Sequence, residues 1–141
     1  MHGHAHKINR LELGYLITSQ NLFSRGDKFN KYDQNSSLNG LVKEKDFEAL
    51  LRGPESLGTL LFKEGFPSVP SSIMLDPGKG NKYFSGGYNT VRHGARNSKN
   101  CYAIQIEMHK PGVRDTEEHR KKFAAALERS LTTFYKRFLK N

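Results

Sequence analysis

Apolar and polar residues alternate in two short stretches, one near the start of the chain and one near its end. In residues 8–18, Leu11, Leu13 and Tyr15 would lie on one side and Arg10, Glu12 and Gly14 on the other. In residues 101–108 they are Tyr102, Ile104, Ile106 and Met108. Side chains of a strand alternate between its two faces, so each stretch is predicted to be a β-strand. Glu107 then lies on the less apolar face of the second strand, where it is either solvated or directed into a polar pocket.

A helical period marks the end of the chain. Apolar residues recur at spacings of four, four, three and four, at Phe123, Leu127, Leu131, Phe134 and Phe138. This spacing predicts an amphipathic helix over residues 116–139 whose apolar stripe packs in the core. Asp115 and Glu118 match a capping box, with Asp115 as the N-cap.

Two shorter helices are predicted in the middle of the chain. Residues 46–52 form the first, which Gly53-Pro54 ends. Ser56 is the predicted N-cap of the second, which ends at Gly65. Residues 66–71 contain two prolines and are expected to be extended, because residues before proline avoid the helical region.

The polar and glycine-rich segments are predicted to be loops. Residues 18–40 are rich in Ser, Asn, Asp and Gly, and this length suggests a functional or mobile surface segment. Turns are expected at residues 76–81 and at Ser85-Gly86-Gly87. No internal repeat is evident, so residues 1–141 are taken as a single domain.

Composition narrows the class of protein. The chain has 141 residues, 35% of them hydrophobic, and one cysteine, Cys101. A single cysteine cannot form an internal disulfide, and the sequence has no apolar run long enough to cross a membrane. A cytoplasmic protein that does not enter membranes is therefore expected.

The chain is basic, with 23 Lys and Arg against 14 Asp and Glu, a formal net charge of +9. The positive residues are scattered, several stand beside acids, and none form a run of five. Zinc-finger spacing and RNA-binding aromatic signatures are also missing from the sequence. A solvated basic surface is the expected meaning of this charge, and nucleic acid is not an expected partner.

The first residues carry the densest chemistry. His2, His4 and His6 stand at alternate positions, so an extended backbone would point all three the same way. Imidazole is the commonest side-chain metal ligand, which makes this stretch a candidate corner of a metal site. The alternatives are a purification tag or a frayed tail. Of the other histidines, His93 is expected in a loop, and His109 and His119 are expected to be solvated.

Four stretches together resemble one family. They are residues 2–6 (HGHAH), 10–16 (RLELGYL), 85–94 (SGGYNTVRHG) and 103–107 (AIQIE). In this order they are similar to the C-terminal half of N-formylglutamate amidohydrolase-like proteins. The resemblance implies a zinc hydrolase with the α/β fold of the phosphorylase/hydrolase-like zinc carboxypeptidases, in which helices flank a mixed sheet.

The resemblance also assigns roles to residues. His2 matches the later zinc-binding histidine of the family, with His4 as a second candidate, and Glu107 matches the glutamate that acts as general base and acid. Arg92 falls in the segment that lines the substrate pocket, where its guanidinium and Tyr88 would hold an anionic N-acyl amino acid. Gly87 would let the backbone approach that ligand closely.

One part of the family pattern has no counterpart here. The two other zinc ligands come from a His-x-x-Glu segment, and no histidine of this sequence is followed three residues later by glutamate. The zinc site is therefore expected to be incomplete, as in the C-terminal portion of a larger zinc hydrolase domain, whether a fragment, a truncated gene model or a shortened relative. Sheet edges and an apolar face would then be uncovered. The second hypothesis is a non-catalytic module that keeps the hydrolase fold and associates with a partner or with itself.

Overall fold

The centre of the fold is a four-stranded mixed sheet that joins both ends of the sequence. The computed structural model describes residues 1–97 and 101–140. The strands are β1 (His2–Gly3), β2 (Leu11–Gly14), β3 (Ser68–Val69) and β4 (Gln105–Met108). Their spatial order is β1-β4-β2-β3. Strand β4 runs parallel to β1 and antiparallel to β2, and β2 runs parallel to β3.

Six α-helices accompany these strands in the described part of the chain. They are α1 (Ser19–Leu22), α2 (Gly26–Asn30), α3 (Phe47–Arg52), α4 (Leu57–Lys63), α5 (Tyr88–His93) and α6 (Glu117–Phe138). Two single 3₁₀ turns lie at Asp33–Asn35 and Glu44–Asp46. The chain is thus a mixed α/β protein with a long C-terminal helix, which confirms the predicted class at this level. None of the described helices is long and apolar enough to cross a membrane.

Both predicted strands are present but shorter than the alternating stretches. Strand β2 is buried along its whole length, on both of its faces. Leu11 and Leu13 join the hydrophobic core, while Arg10 and Glu12 are buried on the other side. The alternation of apolar and polar residues correctly separated the two faces of β2. The polar face, however, buries charged side chains that would usually be exposed to solvent.

The C-terminal helix is confirmed, with two corrections. The N-cap is Thr116 and not Asp115, because the Thr116 hydroxyl accepts a hydrogen bond from the His119 N–H at 3.1 Å. Phe123 and Phe134 are buried as predicted, but Leu131 is 41% exposed, so its assignment to the core was wrong. It borders an open apolar groove of about 540 Å³ that Met1, Met108 and Leu127 also line.

The middle helices match the prediction closely. Helix α3 ends at Arg52 before Gly53, and α4 begins after Ser56, whose hydroxyl accepts from the Thr59 N–H. Helix α4 packs between β3 and α6. Residues 66–71 are extended where they form β3.

The prediction of a surface loop at residues 18–40 was wrong. This segment contains α1, α2 and a 3₁₀ turn, and it buries Leu22, Phe29 and Leu38 in the core. Its few apolar residues are spaced too widely among polar ones to show a period, yet three of them belong to the hydrophobic core.

Candidate functional site

A row of polar side chains crosses one face of the sheet. His2 on β1 is in register with Glu107 on β4, and Glu107 is in register with Glu12 on β2. Residues in register on neighbouring strands point to the same face. The other face of the same strands carries the registered pair Leu13 and Ile106, which belongs to the core. The sheet therefore separates an apolar core from one polar row.

Glu107 is held by two partners within this row. Its carboxylate is 3% exposed, and the Gln105 side-chain amide donates to Oε1 at 2.6 Å. His2 Nδ1 lies 3.4 Å from the same oxygen, and the His2 side chain is 63% exposed. The structure thus brings together the two residues that the resemblance singled out, one buried carboxylate and one accessible imidazole.

Gly87 is connected to Glu107 through two side chains. Its N–H donates to the Thr90 hydroxyl at 3.4 Å, and that hydroxyl donates to Gln105 Oε1 at 3.2 Å. A Cβ at position 87 would lie 2.8 Å from Gln105 Oε1, so the missing side chain permits this approach. Hydrogen bonds therefore run from the start of α5 to the Glu107 carboxylate.

Arg92 and Tyr88 lie apart from this network. They stand one turn apart on the outer side of α5, both exposed, and the Arg92 guanidinium donates to the Tyr88 hydroxyl at 3.0 Å. Within residues 1–97 and 101–140, neither side chain forms a hydrogen bond or ion pair with Glu107. Their predicted role in holding substrate gains no support from the geometry.

Sequence analysis gave no role to Glu12, which is fully buried beside Glu107. Its Oε1 accepts from the His6 ring at 3.1 Å and from the Arg10 guanidinium at 3.3 and 3.4 Å. Its Oε2 accepts from the Phe84 N–H at 2.9 Å. Two carboxylates in register repel each other, and the adjacent Arg10 offsets that cost.

Arg10 also ties this row to a distant segment. It is 1% exposed, and it donates to the backbone oxygens of Pro77 at 2.9 Å and Lys82 at 3.1 Å. Because a guanidinium presents five donors in a fixed plane, one side chain can bind Glu12 and two carbonyls together. The residues around 77–82 are thereby fixed against β2.

His4 and His6 do not share the surroundings of His2. The His4 ring is 4% exposed, and it bonds through Nε2 to the Arg10 carbonyl at 2.8 Å and through Nδ1 to the His6 N–H at 3.1 Å. Both nitrogens are occupied, so metal binding through either one would cost a hydrogen bond. The His6 ring stacks on Phe84 with centroids 4.8 Å apart.

The remaining histidines are more varied than expected. The prediction that His109 is solvated was wrong, because it is 7% exposed and its Nδ1 has no hydrogen-bond partner among the described residues. Burial lowers the pKa of His109, and the neighbouring His4 lowers it further. His93 is exposed at the end of α5, and His119 bonds to Asp115 at 2.6 Å. That bond lowers the pKa of Asp115 to about 2.

The side chains that could bind a metal can be compared with the requirements of a zinc site. A catalytic zinc takes three protein ligands and one water. Over residues 1–97 and 101–140, the structure contains no group of three or more His, Cys, Asp or Glu side chains placed to hold a metal. His2 can provide one ligand, so the described residues alone do not fit a three-ligand zinc site.

Comparison with protein-family models, curated proteins and solved structures finds no match to this chain. The polar row is therefore the feature of the molecule from which a function can be inferred. A cue to Glu12 was present in the sequence, since Arg10 and Glu12 share the side of β2 opposite Leu11 and Leu13. The alternation of apolar and polar residues does not show that this polar side is buried.

Proposed function

We propose that the chain carries the acid–base part of an amidohydrolase of the N-formylglutamate type, acting on small anionic N-acyl amino acids. The observation that supports this proposal is the pairing of His2 with Glu107 at 3.4 Å on adjacent strands. The resemblance assigns zinc binding to His2 and proton transfer to Glu107, and their proximity is consistent with these two roles. The finer assignment to the zinc-carboxypeptidase-like fold is part of the same proposal.

Glu107 would take a proton from the attacking water and return it to the nitrogen of the leaving amine. Gln105 holds Oε1 by its 2.6 Å hydrogen bond, which leaves Oε2 as the oxygen for proton transfer. In this family zinc supplies the activation of that water. Because the described residues offer only His2 as a ligand, the other ligands have to come from elsewhere, and this chain alone should hydrolyse little.

The test is zinc-dependent hydrolysis of N-formylglutamate and N-acetylglutamate by the purified chain. We expect release of amino acid slightly above the buffer rate and far below the roughly 1–1,000 s⁻¹ of ordinary enzymes. Glu107→Gln should reduce this release to the buffer rate, whereas Glu117→Gln, at an exposed position on α6, should not. Zinc binding, followed by equilibrium dialysis, should be weak and should be lost in His2→Asn but retained in His119→Asn.

Two results would contradict the proposal. Residual hydrolysis that survives Glu107→Gln would remove this carboxylate from the mechanism. Turnover at ordinary enzyme rates with one added zinc would show that the site is complete, against the incomplete donor set. Circular dichroism of each variant checks that the fold is unchanged.

A second candidate function is an assembly module that keeps the fold without catalysis. The observation that favours it is the open apolar groove between α6 and β4, with Met1 70% exposed and Leu131 41% exposed at its border. Exposed apolar patches of this kind often mark interaction sites. A second copy of the chain is the proposed occupant, and the oligomeric state of the chain tests it.

A further inference from the structure

A cavity of about 470 Å³ lies beside two side chains that bond to Glu12. It is lined by His6, Lys7, Arg10, Gly80, Asn81 and Lys82, among others. Its volume is in the range of sites that bind small molecules. Neither His2 nor Glu107 lines it, so the proposed amidohydrolase chemistry leaves it without a role.

The charge of this cavity is positive. Arg10 is already engaged, since it donates to Glu12 and to the Pro77 and Lys82 carbonyls. Lys7 and Lys82 are exposed, and neither forms an ion pair with any residue of the described ranges. Two ammonium groups bordering one concave surface attract an anion.

His6 adds a hydrogen-bond acceptor beside these two cations. Its Nδ1 faces both Glu12 oxygens at 3.1 and 3.2 Å, and Glu12 is fully buried. A carboxylate accepts hydrogen bonds, so the tautomer of the His6 ring that fits this geometry donates from Nδ1 and carries a lone pair on Nε2. Nε2 has no hydrogen-bond partner among the described residues, and the stacked Phe84 ring fixes its plane.

We propose that this cavity binds a small oxyanion that carries its own hydroxyl group, such as hydrogen phosphate or a 2-hydroxy carboxylate. Lys7 and Lys82 bind the charged oxygens, and the hydroxyl of the ligand donates to His6 Nε2. An oxyanion without a hydroxyl meets the same cations but leaves Nε2 unpaired. The cavity therefore distinguishes anions of equal size by their hydrogen-bond donors.

Matched pairs of probes test this selectivity at pH 7.5. Phosphate is compared with sulfate, and lactate with propionate, by NMR titration of the His6 ring and of the 80–82 amides. Phosphate, lactate or both should bind about tenfold more tightly than the partner probe, which corresponds to about one hydrogen bond. The pair that shows the preference identifies the class of ligand. Equal affinities within both pairs would overturn the proposal.

Substitutions separate the two parts of the site. Lys7→Gln with Lys82→Gln should weaken binding of all four probes several-fold, whereas Lys121→Gln with Lys122→Gln, which removes the same charge from α6, should not. His6→Phe keeps the stack on Phe84 and should abolish the preference for phosphate over sulfate. If the α6 pair has the same effect as the cavity pair, the binding is non-specific and the proposal fails. Should His6→Phe not fold, the matched probes on the natural sequence still decide.

Discussion

Two carboxylates buried in register on neighbouring strands are costly unless each has its own partners. Glu12 has Arg10, His6 and a backbone N–H, and Glu107 has Gln105 and His2. These two sets of partners have no residue in common. At the scale of residues, the polar row is therefore two adjoining sites, one facing His2 and the other facing the cavity of His6.

His2 and Glu107 could be selected from the sequence, but most of their surroundings could not. The resemblance marked both residues, and alternation placed Glu107 on the less apolar face. Gln105 shares that face, yet nothing local to it predicts its hydrogen bond to Glu107. The links from Thr90 to Gln105 and from Arg10 to Pro77 join separate segments of the chain, and periodicity carries no information about such contacts.

His109 leads to a prediction about pH and stability. Its pKa is lowered from 6.5 in the folded chain, so below pH 6.5 the unfolded chain takes up a proton first. The free energy of unfolding should therefore fall as pH decreases through 6.5, by at most about 1.4 kcal/mol per pH unit from this residue. Urea unfolding at pH 7.5 and 5.5 should show a smaller loss of stability in His109→Gln.

His93 offers the matched control, because it is exposed on α5. His93→Gln should lose as much stability as the natural chain over the same interval. If His109→Gln and His93→Gln behave alike, the acid sensitivity arises elsewhere and the burial of His109 has no effect on it.

At the scale of elements, the contact of α4 with the sheet depends on Gly58. A Cβ at this position would fall well inside the contact distance of the Pro70 carbonyl oxygen and lie 3.2 Å from Leu13 Cδ1. Alanine favours a helix interior by about 1 kcal/mol, but overpacking costs about 1–3 kcal/mol. Gly58→Ala should therefore lower the free energy of unfolding in urea.

Gly3→Ala is the comparison for this substitution. A Cβ at position 3 would lie 2.6–2.8 Å from atoms of the Arg114 guanidinium. This group is the end of a flexible side chain, so it can move away. The effect of Gly3→Ala should be small. If Gly58→Ala instead raised the free energy of unfolding by the amount expected from helix propensity alone, this would contradict the close packing of α4 on the sheet.

The elements that the periodicity of apolar residues predicted are those with one buried face and one exposed face. Helix α6 has many apolar residues on one side and solvent on the other, and its bounds were predicted to within a residue or two. Strand β2 is covered on both faces, so its alternation did not show that Glu12 is buried. Residues 18–40 fold as very short helices that are stabilised by tertiary contacts, which leave no periodic signal.

At the scale of the whole molecule, one edge of the sheet and one apolar groove are open. Strands β1 and β3 each pair with a single neighbour among the described residues. The two residues of β1 are exposed, so this edge can pair with another chain, whereas both residues of β3 are buried. The groove beside β4 offers the larger apolar surface for a second copy.

Sedimentation equilibrium tests this association. If the groove joins two copies, the chain should be dimeric at micromolar concentration, and Leu131→Lys should make it monomeric because a charge cannot be buried there without cost. Thr133→Lys adds the same charge to an exposed position of α6 outside the groove and should leave the dimer intact. A monomeric natural chain would rule out the assembly module.

The order of the strands also governs when the polar row can form during synthesis. A ribosome releases β1, β2 and β3 long before β4, yet β4 lies between β1 and β2. Until residues 105–108 emerge, β1 has no neighbour in the sheet, and His2, Glu12 and Glu107 cannot be adjacent. Since domains are made from the N-terminus and distant contacts close late, the row is assembled only after β4 has emerged. A nascent chain that stalls before β4 contains His2, His4 and His6 but cannot form the polar row.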